Sequence, residues 1–244
     1  MPTDGGWVLE GQNVWTSFAQ FSRWGMALVR TDPDATRHRG ISCVAVDMEA
    51  PGLEIRPLVT MTGEAEFNEV FLDEVFVPDD QLIGGLHQGW QVANTTLAHE
   101  RGTTFPFKEQ VVHEVYLGQL LDLAVASGAL DDPLVADQLV DAYVKLRVLR
   151  LHNWRTMTRL QRGEATGPES SLAKLAWTDM TQSLSEAALA VVGDAAPLWG
   201  PVEGNPAGGR WQRQWLWSKA ASIAGGTSEV QRTIIGERML GLPR

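Results

Sequence analysis

The chain has 244 residues, 44% of them apolar, with thirty acids against twenty bases and a net charge of −10. The size suits one large domain or two modest ones with a real core, and the acidic balance argues against nucleic acid or an anionic membrane surface as the main partner. A single cysteine, Cys43, excludes an internal disulfide and a cysteine-rich metal site, and the five scattered histidines lack ligand spacing, so no metal is expected.

The N-terminal stretch "MPTDGGWVLEG" has neither the basic start nor the apolar run of a signal peptide. No apolar run reaches the roughly 18 residues of a membrane span, and a soluble, cytoplasmic protein is the expectation. Ten tryptophans are unusual for this length, and packing is the expected role for most of them.

Residues 1–85 read as strands. "WVLEGQNVW" is two short apolar runs around a glycine, the pattern of a hairpin. "WGMALVRT" is a strand, "DPDATRHRG" a polar loop, and "ISCVAVDM" and "LEIRPLVTM" are further strands. "AEFNEVFLDEVFVP" alternates with apolar residues on both faces, which predicts a strand packed on both sides. Residues 86–244 read as helices. One starts near Gly89, with Trp90, Ala93, Leu97 and Thr104 on one face, and Pro106 kinks or ends it. "KEQVVHEVYLGQLLDLAVASG" is a second, stopped at Gly128. A long third starts at Pro133, with Asp131 or Asp132 as cap, and ends at Gly163; Val135, Leu139, Ala142, Leu146 and Leu149 form its apolar stripe. A fourth starts near Ser170 or Ser171, "DAAPLWGPVEGNPAGGRW" is a proline- and glycine-rich loop, and "SEVQRTIIGERMLG" is a terminal helix. Strands followed by helices imply an α+β protein with a sheet layer and a helical bundle.

One carboxylate is misplaced. At 100° per residue, Trp90, Ala93, Leu97 and Thr104 span about a 60° arc, and Glu100 falls at its edge. An acid on an apolar stripe costs free energy unless it is paired or protonated. Either Glu100 is an ion pair with Arg101 or a neighbouring arginine, or it is a general base whose pKa burial raises.

Four stretches, in order, resemble the acyl-CoA dehydrogenase family: "GQNVWTS", "EVFLDEVFVPDDQLIG", "GW" at Gly89, and "GGTSEVQRTIIGERMLG". "GPESS" and "GEAEFNEVF" are most similar to actinobacterial-type members, some of which act on bulky acyl chains. The resemblance implies an antiparallel middle β domain followed by a C-terminal four-helix bundle, a FAD cofactor, an acyl-CoA substrate, an electron-transfer protein as acceptor, and a dimer or dimer of dimers. It implies that a glutamate removes the α-proton of the thioester while the β-hydrogen leaves as hydride to the flavin. Many members carry that glutamate immediately before the Gly-Thr of the final motif, where this chain has Gly225. Others carry it on the helix after the β domain, one residue before an arginine, where this chain has Glu100 and Arg101. By the same resemblance the Gly225 N–H holds the thioester oxygen, and Trp15, Thr16 and Ser17 lie against the flavin. Thr227 and Glu229 lie near the cofactor, and Leu97 and Arg101 line the acyl-CoA site. Read without the family, Trp15 is a buried strand tryptophan, Ser17 an exposed hydroxyl, Thr227 or Ser228 a helix cap and Leu97 core.

The chain departs from the family in two ways. It starts inside the middle β domain, so the N-terminal helical domain is expected to be absent. The Arg and Gln that reach a neighbour's FAD have no match around "ASGALDDPLVADQ", and the Gln-x-x-Gly-Gly loop is replaced near "VVGDAAPLWGPVEGN". These losses imply a second reading, a non-catalytic or truncated partner subunit of a hetero-oligomer.

Overall fold

The structure, a computed structural model, describes residues 1–99, 105–164 and 167–243. Glu100, Arg101 and Thr104 lie outside the described residues. The chain forms two compact units, Met1–Leu97 and Ala98–Arg244.

The first unit holds strands β1 (Pro2–Thr3), β2 (Gly6–Ser17), β3 (Trp24–Arg30), β4 (Ile41–Asp47), β5 (Leu53–Leu58), β6 (Phe67–Pro78) and β7 (Leu82–Ile83), and the start of helix α1 (Gly89–His99). All pairings are antiparallel, in two sheets of order β1-β2-β6-β5 and β3-β4-β7. Leu9, Val44, Val46, Val75 and Val77 form the core shared by the two sheets. The expected hairpin at "WVLEGQNVW" is instead one continuous strand: Gly11 is a residue within β2, and the chain does not reverse there. β6 is not packed on both sides either. Asn68 and Val70 point inward in its first half, Val75 and Val77 in its second. Between them β2 advances two residues, Leu9 to Gly11, while β6 advances three, Leu72 to Val75. Glu74 is the bulged residue at φ 52°, and the extra residue turns the inward face from even to odd positions. The alternation was present in the sequence; its change of phase was not.

At Gly89 a Cβ would lie 2.4 Å from the Ser42 carbonyl carbon, so the start of α1 rests directly on β4 and only glycine fits. Of the expected α1 stripe, Ala93 is buried and Leu97 half-buried, but Trp90 is 43% exposed and stacks on His38 at 5.1 Å.

The second unit contains α2 (Phe105–Ser127), α3 (Pro133–Gln161), α4 (Ser170–Val192), α5 (Arg210–Ser218) and α6 (Ser228–Arg238). Asp132 caps α3, its carboxylate accepting from the Leu134 N–H at 2.8 Å, with Pro133 in the first turn. Leu139, Ala142, Leu146 and Leu149 are buried as the stripe required. α4 is the central helix. It packs against α2, α3, α5 and α6, and thirteen of its 23 residues are buried, Trp177 and Met180 among them. α5 is absent from the sequence expectation: it is nine residues long, lies between a glycine-rich loop and a tight turn, and buries Trp211, Gln212 and Ser218. The α+β class holds. The role assigned to most tryptophans does not: Trp177 and Trp211 are fully buried, whereas Trp15, Trp24, Trp90, Trp154 and Trp199 are exposed. Among the described residues no helix is long and apolar enough to cross a membrane, and no three potential ligands gather for a metal.

A polar seam crosses this core. His113 on α2 is buried, with Nδ1 2.7 Å from the Glu109 carbonyl and Nε2 3.1 Å from the Thr181 hydroxyl of α4. A carbonyl only accepts, so Nδ1 carries the proton and Nε2 accepts from Thr181. Beside it, buried Asn153 donates to Gln110 Oε1 at 2.8 Å. Burial pushes the His113 pKa below its ordinary value, although the Glu109 carbonyl and carboxylate act in the opposite sense. The unfolded imidazole binds a proton near pH 6.5 and the buried one only at lower pH, so the unfolded state holds more protons in between. Stability measured by urea unfolding should therefore fall as pH drops from about 7.5 to 5.5. His113→Leu should flatten that slope, and an equally steep slope in the variant would remove His113 from the account.

Candidate functional site

Two clusters carry the described candidate residues, one in each unit. In the first unit the cluster is a second bulge of β2. From Asn13 to Thr16 β2 advances three residues while β6 advances two, Val70 to Asn68. Trp15 is the extra residue, and its φ of 64° is a left-handed conformation that a bulky side chain adopts only under constraint. The bulge turns the indole outward: Trp15 is 63% exposed, touching Phe67 edge-on at 5.8 Å. It is not the buried strand tryptophan that its sequence environment allowed.

Asn68 supplies the constraint. It is fully buried on β6, and its Nδ2 donates to the Thr16 carbonyl at 3.1 Å and to Gln20 Oε1. Gln20 in turn donates to the Ala65 carbonyl at 2.7 Å, and the Phe18 N–H donates to the Glu66 carbonyl at 2.8 Å. The Thr16 hydroxyl is enclosed with no hydrogen-bond partner among the described residues, while Ser17 is exposed at the end of the strand. A buried, unpaired hydroxyl is costly and marks a place where a partner is missing.

In the second unit the cluster is the turn leading into α6. Gly225 and Gly226 have φ of 67° and 99°. Their carbonyls accept from Nε2 of buried Gln231, at 2.9 and 3.4 Å. A little upstream, the Ala221 carbonyl accepts from Lys174 Nζ and from the Thr178 hydroxyl, both at 2.9 Å and both from α4. The carbonyl side of the turn is thus held by buried donors, and among the described residues the Gly225 N–H makes no hydrogen bond. A Cβ on Gly225 would meet nothing within 4 Å, so open space adjoins that residue. Lys174 is buried and forms no ion pair among the described residues; burial lowers its pKa, with the charge of Glu229 acting in the opposite sense.

Thr227 caps α6, its hydroxyl accepting from the Val230 N–H at 3.3 Å. Glu229 is exposed in the first turn. Backbone N–H donation at the helix start holds its carboxyl below the usual range, and the Thr227 hydroxyl adds to this. Capping is therefore realised at Thr227. Leu97 lies half-buried on α1, apart from the bulge residues in sequence, and Glu100 and Arg101 lie outside the described residues.

Sequence reasoning overlooked the supports: Asn68, Lys174, Thr178 and Gln231. Each is a polar residue on an apolar face, in "EFNEVF", "SLAKLAWT" and "SEVQRTII". That is the same sequence signal that singles out Glu100.

Comparison with known proteins places both clusters in one family. Residues 1–75 match the acyl-CoA dehydrogenase middle domain and residues 87–240 the acyl-CoA dehydrogenase C-terminal domain. The chain is 40% identical over 240 residues to acyl-CoA dehydrogenase IpdE1 of Mycobacterium tuberculosis, a match that takes in 98% of this chain and 60% of that protein. It is 41% identical over 258 residues to acyl-CoA dehydrogenase FadE34 of the same organism, covering 99% of this chain and 32% of FadE34. Among solved structures, the Tcur3481-Tcur3483 steroid ACAD superposes with a TM-score of 0.91 at 25% identity, over 100% of this chain and 62% of that one. The ChsE4-ChsE5 complex from Mycobacterium tuberculosis superposes with a TM-score of 0.85 at 29% identity, over 100% and 63%. The chain thus spans about 60% of the length of IpdE1 and of these solved chains. With both domain matches in family order and the strand-then-helix architecture in place, the chain belongs to the acyl-CoA dehydrogenase family.

Proposed function

We propose that the chain carries a flavin-dependent α,β-dehydrogenation of an acyl-CoA thioester, with Glu100 as the base and an electron-transfer protein as final acceptor. The observation that carries this reading is the turn at Gly225, whose carbonyls are tied down while its N–H is left free beside open space.

The residues present fit FAD. In the first unit Trp15 offers an exposed flat face, the Thr16 hydroxyl lacks a partner among the described residues, and Ser17 is exposed beside it; in the second, taken by itself, Thr227 heads a helix whose start favours anions. When bound, FAD supplies the acceptor for the hydride that leaves the β-carbon. The remaining work falls to the protein. The α-proton of a thioester is very weakly acidic in water, so the enolate must be stabilised as it forms. The Gly225 N–H donates to the thioester oxygen, where that charge gathers, and the Glu100 carboxylate takes the α-proton. Gln231 is a positioning residue: it holds the two peptides that follow Gly225 and so steadies the turn that bears the donor. Leu97 and Arg101 line the acyl-CoA site, and Glu229 adjoins the cofactor through the α6 cap. A bulky acyl chain is the favoured substrate class, supported by the likeness to the Tcur3481-Tcur3483 steroid ACAD.

A second reading is a partner subunit in which Glu100 is a structural ion pair. One observation supports it: both solved relatives, Tcur3481-Tcur3483 and ChsE4-ChsE5, are named for two different chains. Purification separates the two readings. An enzyme carries flavin absorbance and turns over at least one acyl-CoA; a partner subunit turns over none.

Glu100→Gln, assayed with an artificial electron acceptor against butyryl-, palmitoyl- and steroid-derived acyl-CoA, should lower kcat by about 10²- to 10⁴-fold with flavin content unchanged. Undiminished turnover would sink the base assignment. Gln231→Leu should lower kcat by about tenfold or more at unchanged flavin content, through a loosened oxyanion donor. A fall in Tm with no change in kcat would reduce Gln231 to a structural role.

A further inference from the structure

The start of α1 is held by a cluster of buried and half-buried hydrogen bonds within the first unit. Residues 84–88 lead from β7 into the helix, and Gly84, Gly85 and His87 have left-handed φ of 75°, 98° and 62°. This turn carries the chain back onto β4, where Gly89 rests against the Ser42 backbone. Ser42 is fully buried, and its hydroxyl accepts from the His87 N–H at 2.8 Å. The Thr31 hydroxyl lies 2.7 Å from that of Ser42 and 3.0 Å from Nδ1 of His87. With Nδ1 as the acceptor each hydroxyl proton is used once: Ser42 donates to Thr31, and Thr31 to His87.

The same loop meets the helix at a second place. Thr31 opens residues 31–40 and closes them as well, since its N–H donates to the Gly40 carbonyl at 2.9 Å. His38 of that loop stacks on Trp90, in the first turn of α1, at 5.1 Å. The helix start is therefore met through His87, through Trp90 and, from β4, at Gly89. One contact would leave a pivot; three at separate points fix a direction. At the His87 position a glycine would be free of backbone strain, so the imidazole is what this residue adds to the turn.

Direction matters because α1 is a lever. At 1.5 Å per residue it runs about 12 Å from Gly89 to Leu97, and a tilt of about 10° at Gly89 carries Leu97 by about 2 Å. A misplacement of about 1 Å in a site can cost about 10²-fold in rate. We propose that His87 is a positioning residue for the acyl-CoA site: tied to Thr31 and Ser42, it sets the direction of α1 and hence the place of Leu97. This role rests on the function proposed above, in which Leu97 lines that site; the hydrogen bonds that carry it are open to test without it.

His87→Gly removes the imidazole and relieves the left-handed backbone, so Tm should change little. Amide hydrogen exchange over residues 89–97, read by mass spectrometry, should nonetheless quicken about fivefold or more. For whichever of butyryl-, palmitoyl- and steroid-derived acyl-CoA the wild type turns over fastest, kcat should fall about tenfold or more with KM within about threefold. His87→Asn keeps a polar atom at the place of Nδ1 and tolerates the left-handed backbone, so it should restore both readouts to within about threefold of wild type. Thr31→Val should match His87→Gly, and the double variant should be no worse than either single one, because both break one chain of hydrogen bonds. Unchanged exchange over residues 89–97 in His87→Gly overturns the proposal, and quickened exchange with kcat untouched overturns the role at the site. Losses that His87→Asn does not reverse, or that add in the double variant, overturn it as well. A wild type that turns over none of the three thioesters marks a failure of the proposed function, and the exchange over residues 89–97 then still decides whether His87 fixes α1.

Discussion

The chemistry proposed for this chain depends on the direction of one backbone amide. Gly225 offers no side chain to the site, so what it contributes is an N–H, and an N–H is only as useful as the rigidity of the turn that bears it. That rigidity comes from the carbonyl side. Lys174 and Thr178 reach from α4 to the Ala221 carbonyl, and Gln231 reaches from α6 to those of Gly225 and Gly226. All three donors are buried, and a buried donor that loses its acceptor costs about 1–3 kcal/mol. The peptides on either side of the donor, those that follow Ala221, Gly225 and Gly226, therefore cannot flip without leaving such groups unpaired. Both glycines sit at positive φ, which a residue with a Cβ adopts only with strain.

The first unit solves a similar problem with a bulge instead of glycines. One extra residue in β2 pushes Trp15 out of the sheet, and buried Asn68 pins the Thr16 carbonyl beneath it. The left-handed backbone at Trp15 is a local cost that the surrounding sheet must offset. Strain of this kind gathers at binding surfaces, and here it coincides with an exposed indole and an unpaired hydroxyl. In both units the residue that faces outward is set by a buried polar side chain one layer below.

Much of this was legible in the sequence. Periodicity of 3.6 gave α2, α3 and α4 and the stripe from Leu139 to Leu149, because long helices repeat the signal many times. Capping needs particular side chains at particular places, so the sequence narrowed the caps to Asp131 or Asp132 and to Thr227 or Ser228, and the structure selects Asp132 and Thr227. The bulges were not legible. A single extra residue changes the phase of a strand without changing its composition, so β6 read as two-faced and β2 as a hairpin. α5 was hidden by its length, since nine residues hold barely two turns of pattern. The tryptophans misled because an indole is as suited to an open surface as to a core, and composition does not separate the two. In the site, the motif residues were readable and their supports were not, because Asn68, Lys174 and Gln231 act through hydrogen bonds to backbone atoms distant in sequence.

In the proposed chemistry the labour is divided between a backbone donor at Gly225 and the carboxylate of Glu100, 125 residues earlier in the sequence. Exchange of the thioester α-proton into deuterated water, followed by mass spectrometry, reads the base directly without requiring an electron acceptor. With wild-type chain carrying flavin and a steroid-derived acyl-CoA, deuterium should enter the α-position. With Glu100→Gln, exchange should slow by about 100-fold or more while the thioester still binds. Equal exchange rates in the two proteins at equal occupancy would contradict the account and return the search for the base to the rest of the chain.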